Sequence, residues 1–247
     1  MTISFAIPAH NEEKHIRRCA TSVLREARRS GHAVEIIVVD NASTDCTAAV
    51  AEAIPGVRVV REPRKGLSFA REAGFRESHG DLLACIDADT VVPPGWIRKA
   101  VHAFERSPRL AALSGPYFYY DLSSFTQFLV ILWYISSFLV MAVLAQYVAR
   151  RSALIQGGNY VVRRRCLEKI GGYNTEVLFY GEDIDLATRL RALGRVRFSF
   201  FFPLLTSGRR LRKEGVFTTG VRYMANGLWV MLRGRPLTNR YTDVRES

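Results

Sequence analysis

The chain has 247 residues, 48% of them hydrophobic and 23% charged, which is enough apolar material for one large or two small domains and excludes global disorder. A net charge of +12 and an isoelectric point near 10.0 imply an anionic partner: a nucleotide, a nucleic acid or an anionic membrane face. The four cysteines (Cys19, Cys46, Cys85 and Cys166) form no C-x-x-C pair, which argues against a zinc site or disulfide framework and fits a reducing compartment.

Met1–Pro8 is too short and uncharged for a secretory signal and reads as a first strand, Ile3–Ile7, stopped by Pro8. The loop Pro8-Ala9-His10-Asn11-Glu12-Glu13 follows, then a helical pattern through Ile16, Cys19, Ala20, Val23 and Leu24. A second strand, Val34–Val39, ends at Asp40. Asn41-Ala42-Ser43-Thr44-Asp45 then supplies turn and capping chemistry for a helix over Thr47–Ala53. A third strand, Val57–Val60, leads through Pro63-Arg64-Lys65-Gly66 into a helix over Leu67–Glu77.

The fourth apolar run, Leu82–Ile86, ends in Asp87-Ala88-Asp89. Side chains two apart on a strand share a face, so the two carboxylates project together and repel unless a cation or donors stand between them. Oxygen-rich sites of that kind suit Mg²⁺ or Mn²⁺ shared with phosphates. Strands alternating with helices predict βαβ units and a mostly parallel sheet, in which ligands bind beyond the carboxyl ends of the strands. Pro8–Glu12, Asp40 and Asp87–Asp89 all fall there. Lys65 and Arg71 add cations beside that edge.

From Leu122 to Ala149 no residue is charged, and Phe128–Ala145 is long enough to be a transmembrane candidate. A single crossing would separate Asp89 from Glu182 and Asp183, so the segment is expected to lie on the membrane, re-enter it, or pack against another helix or subunit. Arg150-Arg151 and Arg209-Arg210-Leu211-Arg212-Lys213 would suit an anionic leaflet. Gln156–Val162 reads as a Gly-rich turn entering a strand. Arg163–Ile170 reads as a short helix ended by Gly171-Gly172, and Gly181-Glu182-Asp183 opens a helix running through Leu193. A carboxylate at that helix start could serve as a general base. Val216–Leu232 is a second amphipathic stretch.

With these blocks assembled, the chain resembles a family 2 glycosyltransferase of the inverting GT-A type from Ile3 to Leu193. The blocks are Pro8–Glu13, Val38–Asp45, Lys65–Gly74, Asp87-Ala88-Asp89, Gly157-Gly158-Asn159 and Gly181-Glu182-Asp183. The resemblance implies an α/β GT-A (Rossmann-like) fold: a mixed, mostly parallel sheet flanked by helices, with a hydrophobic helical insertion and an amphipathic C-terminal helical region. Residues 1–120 would form the nucleotide-sugar half and 121–150 the hydrophobic insertion. Residues 151–205 would form the acceptor and catalytic-base half, and 206–247 the basic tail.

The resemblance further implies that Pro8, Ala9, His10, Asn11, Glu12 and Asp40 hold the nucleotide base, with Lys65 and Arg71 near ribose or diphosphate. Asp87 would contact ribose beside Ala88, and Asp89 would bind a divalent metal (Mn²⁺ or Mg²⁺). Asp183 would be the catalytic base and Glu182 would shape the acceptor site. The activity implied is transfer from a nucleotide-diphospho-sugar, a UDP-sugar favoured, to a glycan, lipid or polyprenyl-phosphate acceptor in cell-envelope glycan synthesis. Membrane contact would be peripheral, on the cytosolic face, with no nucleic acid partner. Position 72 is Glu where many relatives carry Asn, and no Q-x-x-R-W follows Asp183, which implies non-processive transfer. All five histidines precede the acceptor half, so no downstream His can ligate the metal. A nucleotidyltransferase on the same fold is the alternative enzyme, and a basic nucleic-acid- or membrane-binding module the non-enzymatic one.

Overall fold

The structure, a computed structural model, describes residues 1–147, 154–177, 180–233 and 237–238. Its elements in chain order are β1 (Ile3–Ala9), α1 (Ile16–Ser30), β2 (Val34–Asp40), α2 (Thr47–Glu52), β3 (Arg58–Arg61), α3 (Leu67–Glu77), β4 (Leu82–Ile86) and α4 (Trp96–Arg106). There follow β5 (Leu110–Ser114), β6 (Tyr117–Tyr119), α5 (Ser124–Tyr147), β7 (Asn159–Arg163), α6 (Arg164–Lys169), α7 (Glu182–Arg191), β8 (Arg195–Phe198), β9 (Leu204–Thr206), α8 (Arg209–Glu214) and α9 (Val216–Arg233). Arg150 and Arg151 lie outside the described residues, as does most of the tail beyond α9.

Seven strands form the main sheet in the order β3-β2-β1-β4-β7-β5-β8. β7 runs antiparallel to both its neighbours, and the other pairings are parallel. The sheet is therefore mixed and mostly parallel, and it takes strands from both expected halves of the chain. Helices cover the faces of β1 and β4, which explains their nearly unbroken apolar sequences. α1 turns Ile16, Cys19, Ala20 and Val23 inward and stops at Gly31, whose left-handed φ of 71° lets its N–H close on Ala27. α3 lies close on the sheet because Gly74 has no side chain: a Cβ there would stand 2.8 Å from that of Ala6.

β1 extends past its expected stop at Ile7. Its pairing with β4 ends at Ala6, while its pairing with β2 continues to Ala9. Pro8 therefore sits where β1 has one neighbour, and its missing N–H is tolerated as on an edge strand. α4, β5, β6, β8 and β9, which the chain's motifs did not announce, complete the far side. Trp96 of α4 stacks on Phe202 at 4.4 Å and packs near Phe5 at 5.7 Å, closing the core. β6 and β9 form a separate two-stranded parallel ribbon above β4. α9 rests against α5 through Trp133 and Phe217, and against the turn that leads into α7 through Tyr223 and Tyr180. No helix among the described residues is long and apolar enough to cross a membrane.

Candidate active site

The carboxyl ends of β1, β2 and β3 meet in one hydrogen-bonded assembly. Protonated His10 Nδ1 donates to the Asn41 carbonyl at 2.7 Å. The backbone N–H of Glu12 donates to Thr47 Oγ1 at 2.7 Å, and that of Thr44 to Asn11 Oδ1 at 2.8 Å. Asn41 in turn donates to the carbonyls of Glu62 and Arg64 and accepts from the Gly66 N–H. Asn11 and Ala42 adopt φ of 52° and 56° to make these turns, a conformation that side-chain-bearing residues rarely take outside constrained sites. Asp40 Oδ1 is buried without a partner among the described residues. An unpaired acceptor at a strand end is suited to a ligand N–H. Lys65 lies on the exposed turn that carries β3 into α3.

The Asp87-Ala88-Asp89 pair stands at the centre. Ala88 is buried. Asp87 Oδ2 lies 2.8 Å from the Tyr117 hydroxyl, which also lies 2.6 Å from the Gly157 carbonyl and shares its one proton between them. Gly158 is required behind Asp87: its φ is 77°, and a Cβ would stand 2.2 Å from Asp87 Oδ2. Asp87 Oδ1 faces Arg71 Nη2 at 3.7 Å. Arg71 is 1% exposed and also pairs with Glu182, so this cation lies under the site and ties β4 to α7.

Asp89 is oriented differently. Its Oδ2 pairs with Arg209 Nε at 3.0 Å and its Oδ1 accepts from Thr206 Oγ1 at 3.3 Å. Arg209 Nη2 also pairs with Glu12. Burial works against the Arg209 charge, but Asp89 and Glu12 outweigh it and hold the group above the ordinary Arg range. Burial pushes Asp89 up to about 6, with Glu12 and Asp87 adding to the rise and Arg209 opposing it.

Both Asp89 oxygens are thus engaged, one by a guanidinium and one by a hydroxyl. Among the described residues no group of three or more His, Cys, Asp or Glu is placed to hold an ion. As arranged, this donor set fits a resident guanidinium better than a divalent metal.

Across the cavity, Glu182 and Asp183 open α7, where acids are favoured by the helix dipole. Asp183 Oδ2 accepts from the Gly157 N–H at 3.3 Å and Oδ1 from the Ile184 N–H at 2.9 Å. Burial raises the Asp183 carboxyl above its usual range and Glu182 to about 7, in both cases against the attraction of Arg71. Gly157 therefore links the two sides, its carbonyl to Tyr117 and its N–H to Asp183.

One cavity of about 420 Å³ is bounded by Pro8, Glu12, Asp87 and Asp89 on one side and by Glu182 and Asp183 on the other. The rest of its lining includes an apolar stretch, Val130 and Trp133 of α5, Ile155, and Val216, Tyr223 and Met224 of α9, beside the polar Thr206, Ser207, Arg209 and Asn226. Sequence reasoning did not find Tyr117, Thr206, Trp133, Tyr223 or Arg209. Ser207-Gly208 after β9 is the same strand-end signal that marked β1, β2 and β4, and it could have singled out Arg209. The other arginines of that cluster are also engaged, Arg210 with Glu214 and Arg212 with Asp121.

The fold and site define a GT-A, Rossmann-like architecture. It is shared by a mannosyltransferase of Pyrobaculum calidifontis solved with GDP-Man and Mn²⁺ (TM-score 0.60, 21% identity, covering 88% of this chain and 62% of that one). It is shared also by glucosyl-3-phosphoglycerate synthase of Mycobacterium tuberculosis solved with Mn²⁺ and UDP-glucose (TM-score 0.62, 24% identity, 95% and 80%). Residues 4–171 match the model of glycosyl transferase family 2, and the chain belongs to that family.

Among curated relatives, it is similar to a dolichol-phosphate mannosyltransferase of Pyrococcus furiosus, 33% identical over 115 residues (45% of this chain and 32% of the relative). It is similar also to an undecaprenyl-phosphate 4-deoxy-4-formamido-L-arabinose transferase of Pseudomonas paraeruginosa, 33% identical over 105 residues (40% and 31%). The match spans about a third of these relatives' own length.

Proposed function

We propose that this chain moves a sugar from a nucleoside-diphospho-sugar, a UDP-sugar favoured, to an acceptor with a substantial apolar part, with inversion and one residue at a time. The observation that carries the reading is a cavity shared by Asp183 and the Asp87–Asp89 pair, to which α5 and α9 supply apolar side chains. Pro8–Glu12 and the unpaired Asp40 oxygen would receive the base, and Asp87 the ribose. The sugar would lie over Gly157, between the two carboxylate groups.

Inversion needs attack from the side opposite the leaving group, so the acceptor must enter from the α7 side. Asp183 takes the proton of an attacking hydroxyl, and its raised carboxyl is a better base than a solvated one. The acceptor oxygen bonds to the anomeric carbon as the bond to the diphosphate oxygen breaks. The nucleoside diphosphate leaves with that electron pair.

The apolar stretch of the lining and the exposed Phe125, Phe128 and Leu132 of α5 favour a lipid or polyprenyl-phosphate acceptor presented at a membrane face. The similarity to transferases named for dolichol and undecaprenyl phosphate supports the same reading and a place in cell-envelope glycan synthesis.

The test is transfer from a panel of UDP- and GDP-sugars by the wild type and Asp183→Asn. With a hydroxyl acceptor the variant should lose about 10²–10⁴-fold in kcat, the usual contribution of a general base. A phosphomonoester is already largely ionised at neutral pH, so with that acceptor the loss should be smaller. A wild-type protein that transfers from no donor would defeat the proposal.

A further inference from the structure

The disagreement at Asp89 has a positive side, because the group in place of an ion is itself a cation. Arg209 is reached from two directions: Asp89, beyond β4, takes its Nε, and Glu12, beyond β1, takes its Nη2. Arg209 is mostly buried and lines the cavity, and its Nη1 has no hydrogen-bond or ion-pair partner among the described residues. A guanidinium carries five N–H donors in a rigid fork, so two carboxylates can orient it and leave donors for a third anion. Tyr120 and Thr206 hold Asp89 from behind, through its carbonyl and Oδ1.

We propose that Arg209 is the resident cation of the donor site: its guanidinium bonds the diphosphate of the bound nucleotide and stabilises the charge that develops as the nucleoside diphosphate leaves. This rests on the donor-site reading above and extends it to a residue outside every motif that suggested the family. Charge-assisted N–H bonds to phosphate oxygens are short and strong, and they gain strength in a partly buried site. Glu12 and Asp89 then act as the supports that aim Arg209, and a divalent ion is not needed to neutralise the leaving group.

The test is calorimetric binding of UDP and of GDP to the full chain, in EDTA and in Mn²⁺, for the wild type, Arg209→Gln and Arg209→Lys. The wild type should bind one of the two in EDTA within about threefold of its affinity in Mn²⁺. Arg209→Gln should lose roughly 10–100-fold in EDTA, the loss of a charge-assisted bond pair. Mn²⁺ should recover part of that loss, because it can take the place of the guanidinium between Glu12 and Asp89. Arg209→Lys, with the charge but not the fork, should fall between.

Wild-type binding that appears only with Mn²⁺ overturns the proposal without needing any variant, and so does undiminished binding by Arg209→Gln in EDTA. If neither nucleotide binds the wild type under either condition, the donor-site reading falls and this one falls with it.

Discussion

Arg71 and Arg209 divide the two aspartates of the β4 loop between them. Each pairs one aspartate with a glutamate from another element: Arg71 joins Asp87 to Glu182, and Arg209 joins Asp89 to Glu12. The chemistry is the same, but the surroundings are not. Arg71 projects from the long helix α3 and is 1% exposed, whereas Arg209 starts the six-residue helix α8 and keeps 20% of its side chain accessible. A sealed guanidinium can position carboxylates but cannot be shared with a large ligand, whereas a partly accessible one can do both. Burial therefore separates a structural tie from a binding group where charge and hydrogen bonding do not.

The largest effect that would break this comparison is on folding. Arg71→Met leaves Glu182 buried without its counter-charge, and since burial already raises that carboxyl to about 7, the full cost of about 3–5 kcal/mol in urea unfolding should appear at about pH 9, where it is ionised. Adding Glu182→Gln should recover part of that loss, since the uncompensated carboxylate is then gone. A double variant no more stable than Arg71→Met would show that the pair does not carry the cost.

A second, pH-dependent effect sharpens the same point. Glu182 titrates near 4.5 when unfolded and is pushed to about 7 by burial, which outweighs Arg71. Between those values the folded chain holds more protons than the unfolded one, so stability is full below pH 4.5 and declines as pH rises toward 7. The contribution is at most about 3 kcal/mol. Asp89 and Asp183 are raised too and slope the same way, so the comparison is between wild type and Glu182→Gln. The variant's curve should be flatter by that amount over pH 4.5–7; parallel curves would mean that Glu182 stays ionised throughout.

The two arginines also differ in how legible they were. The parallel half of the sheet was readable because β1, β2 and β4 carry buried apolar runs stopped by polar residues, and that pattern put Pro8–Glu12, Asp40 and Asp87–Asp89 at one edge. Arg71 stood in a recognisable block, yet spacing could not show that α3 turns it inward to Glu182. Arg209 looked like one of several surface charges, because its partners are 197 and 120 positions away in sequence, and no local period records such a contact. The ribbon of β6 and β9 was missed for a related reason. Its strands have three residues each, too few for alternation to show, and it is held by the pairing of distant segments and by Val91 against Leu205. The apolar segment and the amphipathic stretch from Val216 were both read as helical and became α5 and α9, but nothing in their spacing recorded that Trp133 and Phe217 pack the two together.

The smallest effect concerns the open arginine before any nucleotide is bound. Arg209→Gln removes a partly exposed cation from two buried carboxylates, and Asp89, already raised to about 6, can relieve the loss by taking a proton. The expected cost is about 1–2 kcal/mol, above the range for accessible ion pairs and below that for Arg71→Met. Without Arg209, Glu12 and Asp89 lose the guanidinium that stands between them, and two facing carboxylates favour oxygen-seeking cations. Mn²⁺ should therefore raise the melting temperature of Arg209→Gln by a few degrees, about what 1 kcal/mol gives for a domain of this size, and leave the wild type nearly unmoved. Equal stabilisation of both proteins would mean that the ion binds elsewhere. A loss as large as that of Arg71→Met would make Arg209 a second structural tie, and accessibility would no longer distinguish the two.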